Sequence, residues 1–154
     1  MIEWKKVEGK KAPMMNLFDK QRLSLGDFGP DDEFIGKPLL SGIEEQLDFN
    51  DPTKKNYVLR FSIVDGDKYL QISIKLKNDD IVQRKVHKAS KLFALVDGIS
   101  RLFDDTWTDY DFIEEVNIND LCDFVNSCDR VVVSIKEVEA NFGVYNSFKI
   151  EELH

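Results

Sequence analysis

The sequence of 154 residues predicts a mainly β domain with helices, in which five strands curl around one core. Three features of the pattern lead to this prediction. Residues 56–77 alternate apolar with polar side chains on both sides of a turn signal, which is typical of a hairpin. Residues 87–103 have apolar side chains at steps of three and four, which indicates an amphipathic helix. Two further strand-like runs follow at residues 130–138 and 144–150.

The hairpin over residues 56–77 organises the prediction. Its two runs meet at Asp65-Gly66-Asp67, which suits a tight turn because glycine adopts positive φ without steric cost. Side chains alternate between the two faces of a strand, so each face can be read from the sequence. The predicted core face holds Tyr57, Leu59, Phe61, Ile63, Leu70, Ile72, Ile74 and Leu76. The predicted polar face holds Arg60, Ser62, Tyr69, Gln71, Ser73, Lys75 and Lys77.

A long strand is expected before the hairpin, at residues 38–49. Its apolar residues Leu39, Ile43, Leu47 and Phe49 share one parity, which would direct all of them toward the core. Gly42 inside the run allows a bulge or a sharp bend, as in sheets that close into barrels. The spacing of Leu39, Ile43 and Leu47 also suits a helix.

Residues 1–36 show no sustained period and are broken by glycine and proline. We expect an irregular N-terminal arm here, with a short strand or turn near residues 16–25. Four lysines beside Trp4 make the arm either a nucleic-acid-binding extension or a flexible solubilising tail. These four are Lys5, Lys6, Lys10 and Lys11.

The region between the hairpin and the final strands is predicted to be largely helical. A short basic extended piece at residues 81–86 leads into the first helix, whose opening turn carries Lys88 and Lys91. The acidic, aromatic residues 107–115 are expected to form a loop. A second helix is expected at residues 119–127, with Asn117 or Asn119 as its N-cap.

The resulting order is β-β-β-α-(α)-β-β, which matches a five-stranded oligonucleotide-binding barrel in a domain of residues 37–154. An open α+β sheet with helices on one face is the competing architecture. The sequence pattern alone does not distinguish a closed barrel from an open sheet.

Charge is segregated along the chain. The net charge of −8, taken alone, argues against nucleic acid as a partner. Residues 54–91, however, contain ten Lys or Arg and four Asp, a net charge of +6, whereas residues 104–123 contain eight acids and no base. A polyanion responds to charges within about 8 Å at physiological salt, so the basic segment can dominate locally.

Metal, redox and membrane roles have little support in the sequence. Cys122 and Cys128 with two histidines do not make a four-ligand zinc site, so both thiols are expected to be buried and free, and no metal or cofactor is expected. No window approaches ~18 consecutive apolar residues, and the N-terminus has no signal-peptide pattern. We therefore expect a cytoplasmic protein without a membrane segment.

The chain resembles the phage-encoded single-stranded DNA-binding proteins that have an oligonucleotide-binding fold. Three segments carry the resemblance, which covers about residues 38–150: YVLRFSIVDGDKYLQISIKLK, RKVHKASKLFALVDGIS and VVVSIKEVEANFGVYNSFKI. It implies sequence-independent binding and protection of single-stranded DNA during phage replication or recombination, in the host cytoplasm. It also implies that the protein is not an enzyme. Recombination or replication proteins, and a second copy of the chain, are the further candidate partners.

A single-strand binder needs aromatic rings on which bases stack and cations that follow the phosphates. The residues that meet this need are Arg60, Tyr69, Gln71, Lys75, Lys77, Arg84, Lys85, Lys88, Arg130, Lys136, Tyr145 and Lys149. The alternative interpretation is that they form the ordinary solvated face of a sheet.

Two other functions compete with DNA binding. A protein-binding or inhibitory module would act through the acidic residues 104–123, together with Trp107, Tyr110 and Phe112. A Mg²⁺-dependent nuclease would need the carboxylates of the same segment, namely Asp104, Asp105, Asp109, Asp111, Glu114 and Glu115. These carboxylates crowd a predicted loop and no lysine follows them, so no catalytic residues are assigned.

Overall fold

The structure is a computed structural model that describes residues 17, 19–102, 110–141 and 143–154. Within these residues the chain is mainly β with two helices, as predicted. The strands are β1 (Gln21–Leu23), β2 (Glu33–Leu40), β3 (Glu44–Leu47), β4 (Lys55–Asp65), β5 (Lys68–Leu76), β6 (Val82–His87), β7 (Phe112–Asn117), β8 (Val131–Ala140) and β9 (Gly143–Leu153). The helices are α1 (Lys91–Arg101) and α2 (Ile118–Ser127), and a 3-10 turn covers Leu25–Asp27.

One curled sheet contains most of the strands. Its order is β1-β5-β4-β2-β8-β9, with β3 paired to the far end of β4, while β6 and β7 form a separate two-stranded sheet. Phe61 on β4 and Phe148 on β9 have ring centroids 5.8 Å apart, although β2 and β8 lie between those strands. Strands β4 and β9 therefore face each other across the core.

Strand β2 joins the two halves of the sheet. Its first half pairs with β8 and its second half pairs with β4, so the strand changes partner at Gly36. A Cβ atom at Gly36 would collide with the carbonyl oxygen of Val64. Glycine is needed here because two backbones approach more closely than any side chain permits.

Other elements pack against both β5, next to the edge strand β1, and β9 at the opposite edge of the sheet. Helix α1 packs on both strands, and the backbone of Gly98 lies so close to Ile150 that an added Cβ would be 2.9 Å from the Ile150 Cβ atom. The 3-10 turn also contacts both strands. There the Asn146 side-chain amide donates to the carbonyl oxygens of Leu25 and Phe28, at 3.0 and 3.3 Å.

The predicted core face of the hairpin is confirmed. Leu59, Ile63, Leu70 and Ile74 are fully buried, and only Tyr57 at the end of the face is half-buried. The sequence did not predict that β4 is also buried on its other face, where the buried residues are Val58, Ser62 and Val64.

The expected long strand at residues 38–49 is wrong. The chain leaves the sheet after Leu40, passes Gly42 and returns as β3, which pairs only with the start of β4. The alternation of inward and outward side chains along residues 38–40 does not continue across this break. Leu47 is therefore 65% exposed and Phe49 is 100% exposed, instead of lying in the core.

The region around the helices differs from the prediction in two places. Helix α1 begins at Lys91, because residues 82–87 continue as strand β6 and Ser90 is the N-cap, accepting from the Phe93 backbone amide. The expected loop at residues 107–115 is wrong from Phe112 onward, where β7 begins, and residues 107–109 lie outside the described residues. Helix α2 confirms the second predicted helix and its N-cap, because the Asn117 side chain accepts a hydrogen bond from the Asp120 backbone amide at 3.1 Å.

Part of the expected N-terminal arm belongs to the sheet. The short strand or turn expected near residues 16–25 corresponds to β1 and the 3-10 turn, and β2 already begins at Glu33. Phe34 is buried in the core. The four arm lysines and Trp4 lie outside the described residues. Strands β1, β3, β6 and β7 are additions to the five-stranded order that the sequence predicts.

None of the helices described here is long and apolar enough to cross a membrane.

Candidate nucleic-acid interface

Strands β1, β5 and β4 share an outer face that carries the strongest candidate site. Leu23 on β1 pairs with Leu70 on β5, and both pack in or against the core. Because side chains alternate, the neighbouring pair Arg22 and Tyr69 lies on the opposite, outer side. We call this surface the β5 face, formed by Arg22, Arg60, Tyr69, Gln71, Ser73 and Lys75.

The middle of the β5 face is held by a polar network. The Arg60 guanidinium donates to the Gln71 side-chain oxygen at 3.1 Å, and the Gln71 amide donates to the Ser62 hydroxyl at 3.4 Å. Arg60 is also paired with Glu44 of β3, at 2.5 Å. One predicted cation therefore already has a carboxylate partner, supplied by the unpredicted strand β3.

Several cations at the β5 face have no carboxylate partner among the described residues. These are Arg22, Lys75 and Lys91, the last of which begins α1. Lys91 is half-buried, and its pKa is lowered by this burial and by the positive charge of Lys75. The positive charges of Lys75 and Lys91 repel each other, and neither has a counter-ion in the described part of the chain. This end of the face is therefore electropositive.

The basic surface continues from β5 onto β6 around a cleft of about 270 Å³. Gln83 shapes the turn there, since its buried amide donates to Asn78 and Asp80 and its oxygen accepts from the Lys77 backbone amide. The Lys77 ammonium group donates a hydrogen bond to the Lys85 carbonyl oxygen at 3.3 Å. The cleft brings together the predicted residues Lys77, Arg84 and Lys85.

The cations of β6 and the following turn are partly neutralised by the acidic segment. Arg84 is paired with Glu115 of β7 at 2.9 Å, and Lys88 is paired with Asp111 at 3.4 Å. Strand β7 lies antiparallel to β6, which places its carboxylates beside these bases. Two of the five described acids of the 104–123 segment thus pair with bases of the same chain.

The remaining predicted residues lie on β8 and β9, away from the β5 face. Lys149 and Lys136 share the outer side of this strand pair, at the other end of the curled sheet, with β2 between the two regions. Lys136 is paired with Asp31 at 2.9 Å, and this hydrogen bond raises the pKa of Lys136. Strand β2 thus separates Lys136 and Lys149 from Tyr69 within the sheet.

The other two residues of this group are also engaged within the protein. Arg130 is 3.7 Å from a carboxylate oxygen of Glu152. The Tyr145 hydroxyl donates to the Ala89 carbonyl oxygen at 3.5 Å, just before α1. The first contact lies within the β8–β9 pair, and the second ties β9 to the segment before α1.

Sequence reasoning missed three residues that the structure makes prominent. Arg22 lies beside Tyr69 through the parallel pairing of β1, for which the sequence has no local signal. Lys91 belongs to the expected basic helix entry, but its proximity to Lys75 is a tertiary feature. Phe49 is fully exposed in a turn-rich segment, DFNDPT, whose composition was a usable signal for a loop.

Groups suited to catalysis are not assembled in the described residues. No cluster of three or more His, Cys, Asp or Glu side chains there can hold a metal ion. Both thiols are free; Cys128 is buried as expected, and Cys122 is half-buried, which raises its pKa to about 11. The carboxylates of Asp111 and Glu115 are in ion pairs, and residues 104, 105 and 109 lie outside the described ranges.

Comparison with known proteins finds no matching family model, no similar curated protein and no similar solved structure. The functional argument therefore depends on the geometry and charge of the β5 face.

Proposed function

We propose that this protein binds single-stranded DNA without sequence preference and without catalysis, on the β5 face. The observation that supports this most is the position of Tyr69, which is half-buried, stands beside Arg22 and lies on the same strand face as Lys75. An aromatic ring on the same face as cations that have no carboxylate partner among the described residues is a combination that suits single-strand binding.

The two parts of the face have separate roles in this proposal. The Tyr69 ring stacks on an unpaired base, an interaction of about 1 to 3 kcal/mol. Arg22 attracts a phosphate next to that base. Lys75, roughly 20 Å further along β5 at 3.3 Å per residue, and its neighbour Lys91 attract phosphates further along the DNA strand. Gln71 and Arg60 supply further donors between these two positions. The net charge of −8 is a sum over the whole chain, whereas a phosphate responds mainly to charges within about 8 Å, so it does not by itself oppose the proposal.

The fold supports the same proposal. Helix α1 lies between β5 and β8 in the chain and packs against β5 and β9 in the fold. This arrangement and the curled sheet are consistent with an oligonucleotide-binding barrel to which β1, β3, β6 and β7 have been added. In this role the protein would protect single strands during replication or recombination. Proteins of those processes, and a second copy of the chain, are the partners that such a role implies.

Fluorescence anisotropy with labelled oligo-dT and with a duplex of equal length tests the proposal. We expect binding to oligo-dT at ~50 mM salt, weaker binding at ~200 mM salt and little binding to the duplex, because stacking needs unpaired bases and phosphate contacts release counterions. Equal binding to the duplex, or no binding to oligo-dT at low salt, would contradict it.

A second candidate function is protein binding through the acidic segment. Tyr110 and Phe112 support it, because they are 58% and 37% exposed beside Asp111. In that case oligo-dT would leave the tyrosine and tryptophan fluorescence unchanged, and a basic protein partner would change it.

A further inference from the structure

The hairpin of β3 and β4 presents an aromatic ring directly to solvent. Phe49 is 100% exposed, and Leu47 next to it is 65% exposed. A fully exposed phenylalanine gains nothing from the hydrophobic effect in the isolated protein. Such a ring gains contact area only when a ligand covers it.

The loop that carries Phe49 has a defined shape. The Asp48 carboxylate accepts from the amides of Asn50 and Asp51 at 2.9 and 3.3 Å and from the Asn56 side chain at 3.3 Å. The Asp51 carboxylate accepts from the amide and hydroxyl of Thr53 at 3.1 and 2.6 Å. These bonds stabilise the charged carboxylates, so the pKa of both aspartates is lowered. Phe49 therefore stands on a preorganised turn.

Strand pairing places this turn at the end of the β5 face. Tyr69 pairs with Val64 near the β4–β5 turn, and Leu76 pairs with Tyr57 near the opposite end of β4. The β3–β4 hairpin continues from that opposite end. The distance along β5 from Tyr69 to Leu76 is roughly 23 Å at 3.3 Å per residue. The turn that carries Phe49 therefore lies beyond the end of β5 that is near Lys75 and Leu76.

We propose that Phe49 is a second stacking platform, which takes an unpaired base of the same single strand that Tyr69 holds. This inference rests on the proposed function and adds a path to it, from Arg22 and Tyr69 along Lys75 to Phe49. The ligand of Phe49 is a nucleobase, since a ring on a fixed turn at the end of a cationic strand face suits stacking in series.

The charges of the hairpin indicate how Phe49 contributes. Glu44 is paired with Arg60 and Glu45 is paired with Lys55 at 3.2 Å. The tip itself carries Asp48 and Asp51 against Lys54, so it does not attract phosphate. The contribution of Phe49 is therefore stacking, and it should not weaken with salt, unlike that of Lys75.

The experiment compares wild type, Phe49→Ala and Tyr69→Ala with oligo-dT of about 4 and about 16 nucleotides, lengths that span the usual site sizes of single-strand-binding folds. We expect Phe49→Ala to bind the long oligonucleotide about five- to 100-fold more weakly and the short one as wild type does. The fold-loss should be the same at ~50 and ~200 mM salt. Val144→Ala removes another exposed apolar side chain, 56% exposed at the far end of the sheet, and should bind like wild type.

Phe49→Trp supplies a direct readout, because its emission should be quenched by the long oligonucleotide beyond the change seen in wild type. Unchanged affinity of Phe49→Ala at both lengths, while Tyr69→Ala weakens binding, overturns this inference and leaves the proposed function standing. Failure of wild type to bind either oligonucleotide overturns the proposed function itself. Since the Phe49 side chain is fully exposed, the alanine variant should keep the unfolding midpoint of wild type.

Discussion

The β5 face and the outer side of β8 and β9 have the same kind of sequence but a different surface. Each is a hairpin face with lysine and one tyrosine on alternating positions. On the β5 face, Lys75 has no carboxylate partner among the described residues and Tyr69 forms no described hydrogen bond. On β8 and β9, Lys136 is paired with Asp31 and the Tyr145 hydroxyl contacts Ala89. The number of basic and aromatic residues is therefore a poor guide to which face can bind.

The acids that neutralise the second face come from one distant segment and from the hairpin itself. Asp31 precedes Lys136 by 105 residues, and Arg130 is paired with Glu152 near the C-terminal end. Exposed ion pairs of this kind add little stability, about 0 to 1 kcal/mol each. Their larger effect is on the local potential, since each removes a cation from the set that can meet a phosphate.

The largest expected effect comes from breaking the joint between the two regions. Gly36→Ala places a methyl group against the Val64 carbonyl oxygen, where β2 passes from β8 to β4. We expect a loss of about 3 kcal/mol in the free energy of unfolding, measured by urea denaturation. Gly42→Ala is the matched control, because no atom lies within 4 Å of its added Cβ. Equal unfolding midpoints for the two variants would show that β2 tolerates the methyl group.

The comparison of the two tyrosines should give the next largest effect. Tyr69→Ala should weaken binding of oligo-dT by about 1 to 3 kcal/mol, or five- to 150-fold, because one stacked base is lost. Tyr145→Ala should change the affinity by less than about twofold, since its hydroxyl contacts the protein. Anisotropy titrations at one salt concentration measure both. A greater loss for Tyr145→Ala would reverse the assignment of the binding face.

Release of a paired cation should strengthen binding on one face alone. Glu44→Gln keeps the side-chain shape but removes the charge that holds Arg60, so oligo-dT should bind about two- to fivefold more tightly at low salt, with the gain fading at high salt. Asp31→Asn releases Lys136 in the same way and should leave the affinity unchanged. The same gain in both variants would indicate a long-range effect of net charge instead.

The smallest expected effect is a pH dependence of binding. The pKa of Lys91 is lowered in the free protein, so Lys91 loses its proton earlier than an ordinary lysine as pH rises. A bound phosphate favours the charged form and raises that pKa, so binding takes up a proton at alkaline pH. The affinity for oligo-dT should be flat at neutral pH and fall as the pH passes through the lowered pKa.

Lys91→Gln should remove this early fall in affinity, whereas Lys149→Gln on the opposite region should keep it. Anisotropy titrations from about pH 7 to about pH 10 measure the difference. An identical pH profile in wild type and Lys91→Gln would exclude a phosphate contact at Lys91.

Local patterns were sufficient for a large part of the fold. The alternation over residues 56–77 and the Asp-Gly turn predicted β4, β5 and their core face, because pleat and turn chemistry depend on neighbouring residues. Asn117 before an amphipathic run predicted the start of α2 for the same reason. Strand β7 was missed because its two adjacent glutamates interrupt the alternation of apolar and polar side chains. Its pairing with the basic strand β6, about 30 residues earlier, stabilises it.

The sequence predicted which kinds of residue form the candidate site, but only some of their positions. The sequence by itself determined which residues alternate on the polar side of the hairpin, including Tyr69 and Lys75, because the period of a strand is local. Tertiary structure alone decided that Arg22 lies beside Tyr69, that Phe49 is exposed and that Lys136 is neutralised. The physical reason is that ion pairs and exposure depend on distances between segments far apart in the chain, which no local period encodes.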